Sequence, residues 1–319
     1  MIERVLLIVN SASGTGCAPS LPGELLRGLR DSAGRVRELE LALVRDHPAA
    51  RLAAASFLDA SRAPAAVIAG GGGGTLRAAV EGVLDAGAAC GTWLGALRMG
   101  SGNVIARRTG VAREPLTGIR QLGSAIRCGR IAARPVIRCE FGAAGGGVDV
   151  RHSLVMCGLG QWGRTSGDLA RWHRRLERGR VAAAAVAGLE RLNHLEYAAA
   201  AGGRLLEAIV RPSACERVEV TFGGGSERYR LLAGTVMTAP IAGIPFDPRV
   251  GTGEAAAGAL LVPRGGRPRR FRLAAPETLR IRLIDRRSVE FFLDEDPEIA
   301  RREISVGVAG SLSFLEVAA

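Results

Sequence analysis

The chain of 319 residues is long enough for two domains, and its 47% hydrophobic and 23% charged residues indicate a globular protein with a sizeable core. The formal net charge is +12, and since the sequence contains no lysine, every strongly basic side chain is an arginine. The absence of lysine excludes Schiff-base chemistry and the lysine of a Walker A loop, so a phosphate site must rely on arginine, backbone amides or metal.

The excess of arginine favours an anionic partner, such as a nucleotide or an anionic membrane surface. Nucleic acid is not expected, because only 4% of the residues are aromatic and none is interleaved with a basic cluster. Six cysteines without a CxxC pair are typical of a reducing compartment. No apolar run approaches the roughly 20 residues that span a bilayer, and the first residues lack a signal-peptide pattern. We expect a cytoplasmic protein that at most touches the inner membrane surface and that could form a homodimer.

Apolar strands and amphipathic helices alternate over residues 1–128. Strands are predicted at residues 5–9, 36–44, 65–69 and 92–97. One helix opens at Ser20, a second is capped by Asp46, a third carries an apolar stripe from Leu76 to Leu84, and a fourth begins after Asn103. This alternation predicts an α/β domain with a parallel sheet and helices on its faces.

Residues 129–304 show a different pattern, which predicts a β-rich antiparallel domain. A strand at 218–222 runs into a glycine turn at 223–225, and two strands at 279–284 and 289–293 read as a second hairpin joined through 285–287. One long basic helix is predicted over 166–192. A basic helix can lie on an anionic membrane, but this one lacks a leucine or aromatic face at its basic end, which favours a solvated face. Residues 305–319 form a terminal strand that could return to the first domain.

Three glycine-containing turns follow apolar strands of the first domain. Their candidate phosphate-binding residues are Asn10, Ser13, Gly14 and Gly16; Gly71, Gly72, Gly73, Gly74 and Thr75; and Gly100, Ser101 and Asn103. In a parallel sheet the three turns meet at the carboxyl edge, where glycine lets the backbone approach a ligand and amide N–H groups point at phosphate oxygens. A Rossmann fingerprint does not fit, because the first turn lacks a third glycine and contains Pro19. The pattern therefore predicts a nucleotide-phosphate site of another kind.

The order NxxSGxG, GGxGT and a GTxN-like turn resembles the diacylglycerol kinase catalytic domain, and most of all the bacterial lipid kinases of that family, which are related to sphingosine kinases. Matching residues also include Ala106 and Arg107. The resemblance implies an α/β nucleotide-binding domain of the phosphofructokinase and NAD kinase kind, followed by a β-rich lipid-binding domain. It further implies transfer of the γ-phosphoryl group of ATP to a lipid hydroxyl such as that of diacylglycerol, with Mg²⁺. The lipid substrate would be met at the membrane surface.

Several residues depart from the family pattern. Gly73 replaces the aspartate of GGDGT, Arg98 replaces the proline of the PLGT turn, and residues 257–259 lack a second acidic position. Two acids remain where the family has an Asp-Gly-Glu turn: the resemblance gives Asp296 the role of catalytic base, and Asp294 that of orienting it or sharing a metal. The metal ligands themselves are not assigned, and the four dispersed histidines receive no role.

Loss of the Gly73 carboxylate leaves two alternatives open. One is a pseudokinase that binds nucleotide or lipid and transfers nothing. The other is an NAD kinase-like enzyme, since that group shares a GGDGT loop. An elongated apolar cleft in the second domain would favour a lipid kinase, whereas a polar adenosine-sized pocket would favour the NAD kinase-like enzyme.

Overall fold

The computed structural model describes residues 2–13, 18–59, 63–100, 104–143, 145–178, 193–239, 256–294 and 296–317. The chain divides into two compact units. The first unit consists of Met1–Arg134 and Ser311–Ala319, and the second of Pro135–Gly310. Each has its own sheet region and its own helices.

Four strands of the first unit pair in parallel in the order β2-β1-β3-β4. They are β1 (Arg4–Asn10), β2 (Glu38–Val44), β3 (Ala65–Gly71) and β4 (Thr92–Arg98). Every residue of β1 and β3 is buried, because both strands lie inside the sheet and have helices to pack against on both faces. The last residues of β14 (Asp296–Leu315) extend this sheet, since Ser313 and Phe314 pair in parallel with Trp93 and Leu94.

The described residues of the first unit form five helices: α1 (Leu21–Ala33), α2 (His47–Asp59), α3 (Gly73–Asp85), α4 (Val104–Arg108) and α5 (Pro115–Cys128). The first three connect the four strands, and α4 and α5 follow β4. The predicted cap of α2 is confirmed, because the Asp46 carboxylate accepts a hydrogen bond from Ala49 N at 2.8 Å. One sequence expectation was wrong in detail, because the second strand begins at Glu38 rather than at 36. The helix expected after Asn103 is confirmed as α4, which begins at Val104 and ends at Arg108.

The second unit contains most of the antiparallel strands. They are β5 (Ile131–Gly142), β6 (Val148–Ser153), β7 (Met156–Leu159), β8 (Glu216–Phe222), β9 (Gly225–Met237), β10 (Ala256–Pro263), β11 (Arg269–Ala274), β12 (Thr278–Leu283) and β13 (Ser288–Leu293). Their inward faces form one apolar core around Phe291, with Phe141 packed edge-on against it at 5.0 Å between ring centroids. The predicted β-rich antiparallel region is confirmed.

The first predicted hairpin is confirmed, because β8 and β9 pair from Glu216–Leu231 to Phe222–Gly225. Gly223 and Gly224 form its two-residue turn with φ of +57° and +81°, the left-handed conformation that a tight hairpin of this kind requires.

The second predicted hairpin is wrong. Strands β12 and β13 exist, but they do not pair with each other: β12 pairs with Glu303–Gly307 of β14, and β13 pairs with residues 296–301 of the same strand. Between these two stretches Arg302 adopts a φ of +64°, which bends β14 so that it serves two partners in succession.

The helical part of the second unit includes α6 (Gly160–Gly163), α7 (Thr165–Arg178) and α8 (Asn193–Val210), with a short 3-10 turn at Pro212–Ala214. The predicted basic helix corresponds to α7, and residues 179–192 lie outside the described residues. The first arginine of this helix is not simply solvated, because Arg171 forms ion pairs with Asp168 at 2.7 Å and with Glu290 at 2.7 Å.

Candidate phosphate-binding site

Asn10 joins the first two glycine-containing turns. Its Nδ2 atom donates a hydrogen bond to Oγ1 of Thr75 at 3.0 Å, and its Oδ1 atom accepts one from Ala12 N at 3.0 Å. Asn10 is the last residue of β1 and Thr75 lies in the first turn of α3, and both are buried. One side chain thus fixes the start of the first turn against the second.

The second turn leads directly into α3. Gly72 is its N-cap residue with an extended backbone, and no described side chain caps the helix. The first amide groups of an α-helix have no intrahelical acceptor, so those of Gly73, Gly74 and Thr75 are available to an anion at the positive end of the helix dipole. A Cβ atom built on Gly71 would lie 2.5 Å from Oγ1 of Thr75, which explains why this position must be glycine.

The third turn contacts the second through the backbone at Gly100. A Cβ atom built on Gly100 would lie 2.3 Å from Cα of Gly72 and 3.2 Å from the carbonyl oxygen of Gly71. Since real Cβ contacts are not that short, no residue other than glycine fits at position 100 without movement of one turn. All three turns therefore meet at the carboxyl edge of the parallel strands.

An arginine cluster accompanies this edge. Arg98 is the last residue of β4 and lies opposite Gly71 in the register of the sheet, and its Nε atom is buried without a hydrogen-bond partner. Burial, together with the charges of Arg107 and Arg113, lowers the pKa of Arg98 from its ordinary value. Arg107 and Arg113 thus act on Arg98 as like charges, and an anion close to Arg98 would be stabilised. The sequence identified Arg98 and Arg107 separately, as positions in the family pattern. Nothing in their spacing indicates that they lie close to each other and to Arg113.

The remaining predicted residues of the first unit divide into two groups. Ser13 is described, and its backbone N–H donates to Asn10 O at 3.2 Å in a turn. Gly14, Gly16, Ser101 and Asn103 lie outside the described residues.

Gly73, which stands in the place of the family aspartate, lies in open space. A Cβ atom built there meets nothing within 4 Å, and its φ lies outside the left-handed region. The backbone therefore accepts a side chain at position 73, and the missing carboxylate reflects no steric conflict in this turn.

Asp294 and Asp296 belong to the second unit, where they flank the connection between β13 and β14. The Oδ1 atom of Asp294 accepts hydrogen bonds from Ser153 Oγ at 2.7 Å, Val155 N at 2.8 Å and Met156 N at 3.0 Å, and Oδ2 accepts one from Leu154 N at 2.7 Å. Burial raises the pKa of Asp294, and these donors oppose the rise. With both oxygens engaged, Asp294 holds the turn between β6 and β7. Asp296, the partner of Leu293 in the register, is half-buried at the start of β14.

The residues described at the carboxyl edge do not fit a magnesium site. They offer glycine backbone, an amide, a hydroxyl and arginines, whereas Mg²⁺ in nucleotide sites is held by carboxylates together with phosphate oxygens. Among the described residues, no three His, Cys, Asp or Glu side chains lie together as metal ligands.

These observations define a class of structure: an α/β unit with three converging glycine turns, followed by an antiparallel β-rich unit. Residues 4–131 match the family model of the diacylglycerol kinase catalytic domain, which confirms the resemblance for this part of the chain.

Solved structures give the same indication for the fold. A candidate diacylglycerol kinase of Bacillus anthracis strain Sterne aligns with a TM-score of 0.68 at 16% identity, covering 99% of this chain and 97% of that chain. A diacylglycerol kinase of the same strain aligns with a TM-score of 0.63 at 14% identity, covering 99% and 98%. At these identities the likeness establishes the fold. No curated protein matches the sequence.

Proposed function

We propose that the chain is an ATP-dependent lipid kinase that transfers the γ-phosphoryl group of ATP to the hydroxyl group of a lipid such as diacylglycerol. The observation that carries the proposal is the convergence of three glycine turns through the Asn10–Thr75 hydrogen bond and the Gly72–Gly100 contact. The family match over residues 4–131 supports a kinase at the level of the family.

In this proposal the first unit is the nucleotide-binding domain. The N-terminal amides of α3 donate hydrogen bonds to phosphate oxygens, and the close approach of Gly72 and Gly100 lets the phosphates contact backbone rather than side chains. Arg98, Arg107 and Arg113 neutralise the negative charge that binding brings to this edge. Ser13, Gly14, Gly16, Ser101 and Asn103 remain predicted members of this site.

The second unit would supply the lipid side of the reaction. Asp296 would accept the proton of the lipid hydroxyl. The hydroxyl oxygen of the lipid would attack the γ-phosphorus, and the bond between that phosphorus and the oxygen of the ADP leaving group would break. Asp294 acts through the backbone that it holds, because its carboxylate already accepts four hydrogen bonds. It is therefore a positioning residue in this account.

Gly73 specifically favours a second candidate function, a pseudokinase that binds nucleotide without transferring phosphate. Phosphoryl transfer depends on charge placed around the transferred group, and this position lacks the carboxylate that the family has there. Because a side chain at position 73 would meet no atom within 4 Å, Gly73→Asp is a variant that should fold and restore the carboxylate.

The experiment is transfer of labelled γ-phosphate from ATP to diacylglycerol in mixed micelles with Mg²⁺, for the natural sequence and for Gly73→Asp. Transfer by the natural sequence supports the kinase, and its loss in Asp296→Asn supports the role of Asp296. Transfer by Gly73→Asp alone supports the pseudokinase. Absence of transfer from both, with ATP shown to bind, would argue against diacylglycerol as the acceptor.

A further inference from the structure

The carboxyl end of α8 exposes three aliphatic side chains. Leu206 is 62% exposed, Ile209 62% and Val210 70%. Isolated surface aliphatics are common, but here three lie within one and a half turns of a helix. We call these residues the α8 tip.

Both charged residues in the part of α8 whose side chains are described take part in ion pairs. The Arg204 guanidinium donates to the Asp168 carboxylate of α7 at 2.5 and 2.7 Å and to Glu207 at 2.9 Å. The exposed positions of the described part of α8 carry no charge: they are Ala199, Gly202, Gly203, Leu206, Ile209 and Val210. A surface helix ordinarily carries charged or polar residues at its outward positions, whereas the outward positions at the carboxyl end of α8 are aliphatic.

Arginines surround the α8 tip. The Arg264 guanidinium caps the helix by donating to Ala208 O and Ile209 O, each at 3.1 Å, and Arg230 donates to Pro212 O at 3.0 Å just beyond it. Arg264 opens the β10–β11 hairpin turn, which also carries the exposed Arg267, and the exposed Arg270 lies at the start of β11. Arg211 follows the helix directly and is exposed. Arginines therefore lie at the carboxyl end of the apolar tip, and the nearby Glu207 carboxylate is paired with Arg204.

The area and the charge argue for a lipid surface rather than a protein partner. Three such side chains expose roughly 350 Å², well below the roughly 800 Å² that each partner contributes to a stable protein interface. Aliphatic side chains bordered by arginine match the boundary between acyl chains and anionic headgroups, where the side chains bury apolar area and the guanidinium groups meet phosphate. Among the described residues, no helix is long and apolar enough to cross a membrane, so this contact would be peripheral.

We propose that the α8 tip and the β10–β11 hairpin dock the protein on a bilayer that contains anionic lipid. Leu206, Ile209 and Val210 enter the interfacial region, and Arg211, Arg264, Arg267 and Arg270 contact headgroup phosphates. This docking does not depend on phosphoryl transfer, and a protein without kinase activity would show it equally.

The test is co-flotation with vesicles of phosphatidylcholine, with and without phosphatidylglycerol. Leu206→Glu/Ile209→Glu is compared with the control Leu43→Glu/Leu52→Glu, whose positions in the first unit are 62% and 67% exposed and which carries the same change of charge. We expect the natural protein to bind the anionic vesicles and the α8 variant to lose binding by about tenfold or more, with the control within about twofold. Arg267→Gln/Arg270→Gln should lose the preference for phosphatidylglycerol.

Circular dichroism would show that both double variants keep the fold. The proposal is overturned if the natural protein binds neither kind of vesicle, or if the two double variants lose binding equally. It is also overturned if light scattering shows a dimer that only Leu206→Glu/Ile209→Glu dissociates while vesicle binding is unchanged. A lack of phosphoryl transfer in the kinase assay does not change the vesicle-binding results expected here. Failure of the proposed activity can therefore be distinguished from failure of the docking surface.

Discussion

The Nδ2 atom of Asn10 donates a hydrogen bond to Oγ1 of Thr75 at 3.0 Å, across a sequence separation of 65 residues. Asn10 is only 5% exposed and Thr75 only 1%, so water cannot replace either partner. The bond holds the end of β1 against the first turn of α3. The geometry of the phosphate site therefore depends on it directly.

Thr75→Val tests this bond, since valine keeps the shape of threonine and removes the hydroxyl. Asn10 would be left with a buried unsatisfied donor, and we expect the free energy of unfolding to fall by about 1–3 kcal/mol. The measurement is urea denaturation combined with titration of ATP. Thr221→Val in the half-buried part of β8 is the control and should change stability by less than about 1 kcal/mol. Equal effects in both variants would show that the Asn10–Thr75 bond has no special role.

Arg98→Gln tests the arginine cluster. The variant removes a guanidinium group that the charges of Arg107 and Arg113 disfavour, so it should leave the fold intact and weaken ATP binding by about tenfold. Because this edge offers no described carboxylate for a metal, we expect the natural chain to retain ATP binding in EDTA. Arg35→Gln has the same change of charge at the opposite, amino edge of the sheet and is the control. ATP binding that vanishes in EDTA, or that is insensitive to Arg98→Gln, would contradict this role.

Asp294→Ala and Asp296→Asn separate positioning from chemistry. Asp294→Ala leaves Ser153 Oγ and three backbone amides without their acceptor. Alanine also tolerates the φ of +58° at this position poorly. We therefore expect the unfolding free energy to fall by about 3 kcal/mol. Asp294→Asn should lose less, because asparagine keeps an acceptor and tolerates that backbone. Asp296→Asn should abolish transfer while the variant still folds. Retention of full activity in Asp296→Asn would exclude it as the base.

The Asp168 carboxylate predicts an acid-sensitive contact between α7 and α8. Burial alone would raise the pKa of Asp168, but the Arg204 and Arg171 guanidinium groups outweigh it and hold the pKa below the ordinary value of 3.8. A carboxyl group with a depressed pKa in the folded state contributes stability that is present above 3.8 and is lost as the pH falls through the folded pKa.

Asp168→Asn should therefore lower the unfolding free energy by about 1 kcal/mol at neutral pH, the modest value expected of a solvent-screened contact, and flatten the acid dependence. The measurement is urea denaturation between neutral pH and pH values below 3.8. An unchanged pH profile would show that the Arg204–Asp168 pair does not fix the orientation of α8.

The sequence predicted the positions of those strands that are buried on both faces. The continuous apolar runs of β1 and β3 lie inside a parallel sheet, and such strands can be recognised without knowledge of their neighbours. The partners of β12 and β13 could not be recognised, because alternation fixes the face of a strand but not the strand beside it. The left-handed Arg302, which lets β14 pair with both, has no local signal.

The candidate site was predictable to the same degree. Parallel strands bring their carboxyl ends together, so the three turns could be expected to meet. The direct backbone contact of Gly72 with Gly100 and the clustering of Arg98 with Arg113 depend on packing across the sheet edge, and no spacing in the chain encodes them. The structural role of Asp294 was missed for a related reason, since its donors lie about 140 residues earlier.

Titration of ATP into the natural chain, Gly100→Ala and Gly73→Ala by calorimetry tests most directly whether the converging turns bind nucleotide phosphate. The methyl group at position 100 would lie 2.3 Å from Cα of Gly72 and force the turns apart, whereas the same group at position 73 meets nothing within 4 Å. We predict that Gly100→Ala weakens ATP binding by about tenfold or more, while Gly73→Ala stays within about twofold of the natural chain. Equal affinity in all three proteins, or no ATP binding by the natural chain, would contradict the account.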